Sequence, residues 1–154
     1  MSEFFDIETP NDLYLLLKIK IESFNKNPND ETLFFIIFIL NHLREWIYPY
    51  RHESYTKLPT ENWNQEQILH SEIHAKEEYK IINALCNRTK HFKKIQDVNI
   101  NKRSFTLSVS KLDDEVISGN NYHVDRKNIK DIINSLLYIY DEYFKRKDHV
   151  HKKQ

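Results

Sequence analysis

Hydrophobic positions recur at helical spacing over most of the chain. Thr9 and Pro10 make a helix start, because threonine can cap a helix and proline at the first helical position gives up only an N–H that has no intrahelical partner. The apolar residues that follow at intervals of three and four are Leu13, Leu16, Leu17, Ile21 and Phe24. This spacing predicts a first helix. The segment 25–30, which contains Pro28, predicts its end.

The next segment is the most apolar of the chain. An unbroken apolar run covers residues 33–40 and continues at Leu43, Trp46 and Ile47 before Pro49. The run is far shorter than the roughly 20 residues that a membrane-spanning helix needs. It therefore predicts a central helix buried in the core and gives no reason to expect a membrane span.

The period of the pattern changes in the second half of the chain. Residues 61–93 are helical in pattern and predict two helices that meet near residues 74–76. Phe105, Leu107 and Val109 then alternate with serine and threonine, which is typical of a strand. Short strands are predicted at 116–117 and 122–124, and a last helix is predicted after Asp125, which is a plausible cap.

The fold class follows from this order of elements. The sequence predicts a mainly α fold, a single-domain helical bundle of four or five helices with a small β-hairpin before the C-terminal helix. The domain is expected to cover residues 1–147, with the hairpin at about residues 103–124, and residues 148–154 are expected to form a basic flexible tail. A chain of 154 residues is a common size for one domain.

Composition narrows the functional classes. The 23 basic and 23 acidic residues give no net charge, so any nucleic acid must bind at a local patch. The single glycine, Gly119, argues against the phosphate-binding loops of P-loop and dinucleotide folds. One cysteine, Cys86, excludes an internal disulfide, and with no signal peptide it favours a cytoplasmic setting. Cys86 is expected to be buried and unreactive. The sequence predicts no cofactor.

Residues 84–94 hold the main candidate site. They place Asn87, Arg88, Lys90 and His91 together near the end of an apolar helix. In the functional interpretation, His91 and Arg88 are catalytic: His91 transfers protons, Arg88 and Lys90 hold a phosphate, and Asn87 orients one of these residues. In the structural interpretation, the same cations only offset the negative end of the helix dipole. Both interpretations fit the sequence.

The string Asn87-Arg88-Thr89-Lys90-His91-Phe92, on a helix before a hairpin and a last helix, resembles the Asn-x-x-Lys-His-Phe motif of a group of small bacterial proteins. Those proteins are distantly similar to the HEPN superfamily of helical domains, which occurs in toxins and phage-defence effectors. The resemblance carries over to Asn87, Lys90 and His91. It implies a homodimer that cleaves RNA without a metal, through the ribose 2′-hydroxyl.

The spacing of arginine and histidine differs from that family. HEPN ribonucleases separate the two by four to six residues, whereas two residues separate Arg88 from His91 and seven separate Arg44 from His52.

Two further groups of residues bear on a site. Arg44, Arg51 and His52 stand among the aromatic residues of segment 46–55 and are candidates for substrate binding, because rings and cations together can hold RNA. The same residues would also serve for packing or a protein contact. His70 and His74 share a helix face at metal-ligand spacing, but exposed helical histidines are favoured, so no metal site is predicted.

Two functions fit these observations. The first is a HEPN-like domain that binds or cleaves RNA in phage defence or a toxin system. The second is a non-catalytic protein-interaction module that uses the aromatic loop 48–55 and the patch 87–91. The absence of net charge and the unusual arginine–histidine spacing favour the second.

Overall fold

The computed structural model describes the backbone of residues 6–91, 100–108, 116–124 and 126–151, and the side chains of residues 6–87, 122–124 and 126–149. The helices of this part of the chain are α1 (Pro10–Lys26), α2 (Asp30–Ile47), α3 (Gln65–Ala75), α4 (Glu77–His91) and α5 (Ile129–His151). The strands are β1 (Ile100–Ser108), β2 (Val116–Val124) and β3 (Lys127–Asn128). The predicted helical bundle with a hairpin before its last helix is confirmed.

Side-chain caps fix the starts of three helices. Thr9 caps α1 in a capping box with Asp12, and Asn29 caps α2 through the backbone N–H of Thr32. Asn64 caps α3 in a second capping box, with Gln67. Each cap satisfies a backbone donor that would otherwise have no partner, so the local sequence sets where these helices begin.

The helices pack around one hydrophobic cluster. α1 packs on α2, α2 on α4, and α3 on α5, while α5 also contacts α4 and the sheet. The cluster draws on all five helices and on β2, and its completely buried members include Leu17, Ile36, Leu40, Leu43, Ile73, Ile82, Leu136 and Tyr140. The last helix contributes a stripe of buried residues between Ile129 and Phe144, and Cys86 is buried as expected.

Helix α2 is central but is not buried all round. Ile36, Leu40 and Leu43 face the core, whereas Phe34 and Phe38 on another side are 47% and 48% exposed. The prediction of a fully buried helix is therefore wrong for this face, because an unbroken apolar run carries no periodicity from which an outward side can be read. No helix in the described part of the chain is long and apolar enough to cross a membrane.

The sheet is more continuous than the sequence indicates. β1 and β2 pair antiparallel from Ile100↔Val124 to Ser108↔Val116, so the two short strands expected at 116–117 and 122–124 form one strand through Gly119. β3 then pairs with the end of β2. Arg126, between them, has a φ of 68°, in the left-handed region. Asp125, the expected cap, lies outside the described residues.

The C-terminal helix is longer than expected. α5 continues to His151 and so includes the first four residues of the segment 148–154 that was assigned to a tail. Residues 152–154 lie outside the described residues.

Candidate functional site

Three of the predicted substrate-binding residues line one cavity. Arg44 lies in the last turn of α2, and Arg51 lies in the loop that follows α2. His52 begins a short 3₁₀ turn. The three residues line a cavity of about 420 Å³, which His70 and His74 of α3 also line. We call this the histidine cavity. Arg44, Arg51 and His52 therefore lie at one cavity. His70 and His74, which nothing in the sequence groups with them, lie there too.

The imidazoles of the histidine cavity stack face to face. The ring of His52 lies on that of His74 with centroids 4.1 Å apart and planes 15° apart. His70 lies parallel to both rings, with centroids 6.0 Å from His52 and 6.3 Å from His74. Two elements create this stack: α3 places its histidines four residues apart on one face, and the 3₁₀ turn brings His52 against them.

His70 is the fixed, neutral member of the stack. Its side chain is only 2% exposed, so the expectation of an exposed histidine is wrong for this residue, although His74 is exposed as expected. Burial, together with the nearby Arg44 guanidinium, lowers the pKa of His70 to about 4. The imidazole is therefore uncharged near neutral pH.

Tyr55 hydrogen-bonds His70. Its hydroxyl lies 2.7 Å from His70 Nδ1, and burial raises the pKa of Tyr55 to about 12, so the hydroxyl keeps its proton. A protonated hydroxyl can donate to Nδ1 of the neutral ring, and the ring proton is then on Nε2.

His74 is the more accessible imidazole. Burial lowers its pKa, as do the nearby His52 ring and the Arg44 guanidinium, while the Glu53 carboxylate acts in the opposite direction. The neutral form of His74 is favoured, and a neutral imidazole can accept a proton.

A metal site in a protein needs three or more side chains that converge on one point. No group of three or more histidine, cysteine, aspartate or glutamate side chains in the described residues could hold a metal ion.

Arg44 is held in place by its packing. Its guanidinium lies over the Tyr79 ring, 4.5 Å from the centroid, and its side chain is 13% exposed. Its Nε is buried and has no hydrogen-bond partner in the described part of the chain. A ligand can satisfy an N–H group that has no partner in the protein. The Arg44 side chain lines the histidine cavity, where such a ligand would bind.

The rim of the histidine cavity carries charges of both signs. Arg51 is exposed and the Tyr50 ring is 65% exposed, as an anion-binding and stacking surface would require. Glu45 and Glu53 also line the cavity. The Glu45 carboxylate lies 3.3 Å from His42 Nδ1 and 3.9 Å from Arg44 Nη2, so part of its charge is compensated locally.

A second cavity adjoins the first and includes Asn87. It has a volume of about 430 Å³, and its walls are His74, Tyr79, Lys80, Asn83, Ala84 and Asn87. We call it the asparagine cavity. His74 lines both cavities. Asn87, the first residue of the predicted motif, therefore lies in the cavity next to the stacked histidines. Asn83 and Asn87, four residues apart, share a side of α4.

The remaining motif residues are only partly described. Arg88, Lys90 and His91 belong to the last turn of α4, but their side chains lie outside the described residues. Their roles stay predictions.

The sequence contained weak signals for the residues that were missed. The spacing of His70 and His74 is visible in the sequence, but it suggested only a possible metal site. Nothing in the local pattern indicated that Tyr55 and His52, 15 or more residues earlier, would fold against α3.

The chain matches no known protein-family model, and comparison with curated proteins and with solved structures gives no significant match. What the site can do must therefore be inferred from its own geometry.

Proposed function

We propose that the protein is a HEPN-like domain that binds single-stranded RNA in the histidine cavity and cleaves it without a metal ion. The observation that carries the proposal is the stacked pair His52–His74 beside two arginines. Two imidazoles can supply the base and the acid of phosphodiester cleavage, and arginine can bind the phosphate. The phage-defence or toxin setting is part of the same proposal and rests on the resemblance alone.

The proposed reaction uses the ribose 2′-hydroxyl as nucleophile. Neutral His74 takes the 2′-hydroxyl proton, and the 2′-oxygen forms a bond to phosphorus as the bond from phosphorus to the 5′-oxygen breaks. His52 gives a proton to the leaving 5′-oxygen. The products are a 2′,3′-cyclic phosphate and a 5′-hydroxyl. In the transition state the attacking 2′-oxygen and the leaving 5′-oxygen lie on opposite sides of the phosphorus, so each imidazole would serve one side of the phosphate.

The cations have a separate role. Arg51 and Arg44 would hold the non-bridging phosphate oxygens and stabilise the charge that develops on them. Tyr50, exposed at the rim, would stack on a base. Buried His70 would keep the His74 ring in its stack and takes no proton itself.

Cleavage of a fluorescently labelled single-stranded RNA tests this function. General acid–base groups contribute about 100-fold or more, so His52→Ala and His74→Ala are each expected to reduce the rate about 100-fold or more. His149→Ala, which removes an exposed histidine of α5, is the matched control and should cleave like the parent. A chelator should leave the rate unchanged, and the product should carry a cyclic phosphate.

The same assay tests the motif on α4. If His91→Ala abolishes cleavage while His52→Ala and His74→Ala do not, catalysis belongs to His91 and Arg88, and the histidine cavity is not the active site. If the parent protein neither binds nor cleaves RNA, the proposed function is wrong.

A protein-interaction module is the second candidate function. Within loop 48–55 the rings of Tyr48 and Tyr55 are buried, which leaves Tyr50 as its exposed ring. The observation that favours this function is the exposed aromatic face of α2, where Phe34 and Phe38 are about half exposed. A single stoichiometric protein partner that is lost with Tyr50→Ser or Phe38→Ser, from a protein that does not bind RNA, would favour it.

A further inference from the structure

The asparagine cavity has the features of a site for a nucleobase. It is as large as the histidine cavity, at about 430 Å³, and it opens beside it across the shared His74. Two amides line it, Asn83 half-buried and Asn87 exposed, four residues apart on α4. Neither amide has a side-chain hydrogen bond within the described residues, so both are available to a ligand.

The chemistry of the walls fits a base followed by a phosphate. An asparagine amide offers a donor and an acceptor at the spacing of a base edge, and it is a common reader of bases. The exposed ammonium of Lys80 lies at the same cavity and would attract a phosphate. Tyr79 and Ala84 contribute apolar surface for the flat face of a base.

We propose that the asparagine cavity binds the base of a second nucleotide of single-stranded RNA. One nucleotide would occupy the histidine cavity, the phosphate between the two would lie at His74, and the next base would enter between Asn83 and Asn87. This inference rests on the proposed function, and it adds a minimum substrate: two linked nucleotides, with the second base recognised by amide side chains.

Binding of a labelled RNA hexamer, measured by fluorescence anisotropy, tests the inference. Loss of base-edge hydrogen bonds costs about tenfold, so Asn83→Ala combined with Asn87→Ala is expected to weaken binding about tenfold or more. Asn134→Ala, which changes an exposed asparagine of α5, is the matched control and should bind like the parent. Ala84→Phe should weaken binding similarly by filling the cavity while leaving both amides in place.

A base-specific readout separates recognition from a structural effect. Dinucleotides with an abasic residue at the first or at the second position should include one that the parent binds about tenfold more weakly than the intact dinucleotide. The double variant should bind that abasic dinucleotide and the intact dinucleotide equally. If both variants bind the intact hexamer as the parent does, the asparagine cavity is not a base site.

A comparison with Arg51→Ala keeps the two proposals distinguishable. If Arg51→Ala weakens binding and the asparagine variants do not, RNA binds in the histidine cavity and only the second base site is wrong. If the parent does not bind the hexamer, the proposed function fails together with the inference.

Discussion

His70 shows how one buried side chain can organise a site without reacting. The Tyr55 hydroxyl hydrogen-bonds its Nδ1, and the His70 ring lies parallel to those of His52 and His74. Because burial opposes its charged form, His70 stays neutral where exposed histidines begin to titrate. The role assigned to it is to hold His74 in position.

The lowered pKa of His70 predicts a stability that depends on pH. Its pKa is about 4 in the folded chain, below the ordinary value of about 6.5 that applies when the chain is unfolded, so the unfolded chain binds the proton more tightly. The stabilising effect is complete above pH 6.5 and is lost as the pH falls towards 4. The free energy of unfolding should fall by roughly 2 to 3 kcal/mol between pH 7.5 and 4.5 from this group.

Urea unfolding of the parent and of His70→Asn isolates this contribution. Asparagine can accept from the Tyr55 hydroxyl but does not titrate, so its unfolding free energy should fall less over the same pH range. The carboxylates are common to both proteins and cancel in the difference. Equal slopes for the two proteins would mean that His70 does not carry the effect.

At the scale of elements, α3 is the support on which the site depends. It is 11 residues long, too short to be stable alone, and carries His70 and His74 in its second half. Its start is held by the capping box of Asn64 and Gln67, and its buried residues Leu69 and Ile73 face the core.

Removal of the cap of α3 should therefore destabilise the protein. Asn64→Ala leaves the N–H of Gln67 without its acceptor, and such a change typically costs about 1 kcal/mol of unfolding free energy. Chemical unfolding of the parent and of Asn64→Ala measures this loss of unfolding free energy. Asn62→Ala, in the exposed 3₁₀ turn just before, is the control and should change stability by less than about 0.5 kcal/mol. An equal loss in both variants would contradict a role for the cap.

The elements were largely predictable from the sequence, and the site only in part: Arg44, Arg51 and His52 were candidates, but their meeting with His70 and His74 was not foreseen. Thr9-Pro10 and the break at Pro28 mark helix ends locally, so α1 and α2 could be placed from the pattern. The sequence also placed the α3–α4 junction near residues 74–76, where the structure has it. The contact between His52 and His74 depends on how the segment between α2 and α3 folds onto α3. The spacing of apolar residues within one element does not predict such a contact.

At the scale of the whole molecule, the balance of charge limits how nucleic acid could bind. With 23 basic and 23 acidic residues there is no global attraction for a phosphate backbone. The proposed site contains three described cations, Arg44, Arg51 and Lys80, spread over its two cavities. Binding should therefore show the weak salt dependence of a small local patch.

The salt dependence can be predicted from the number of cations. Each phosphate contact with single-stranded nucleic acid contributes about −0.7 to the slope of log affinity against log salt, so three give about −2. Anisotropy titrations at several salt concentrations measure this slope. Arg51→Ala should reduce it to about −1.4, while Arg126→Ala, at an exposed turn, should leave it unchanged. A slope steeper than about −4 would instead implicate the basic C-terminal residues.

The junction of α3 and α4 determines which nucleic acid the two cavities can accept together. Only Lys76 separates the helices, so the protein has little freedom to move His74 relative to Asn83 and Asn87. The ligand would have to adapt its own backbone to reach from one cavity into the other. A single strand can rotate a base out in this way, whereas a paired strand is held by its stacking and its partner. The one-residue junction would thus make the two cavities bind single strands in preference to duplexes.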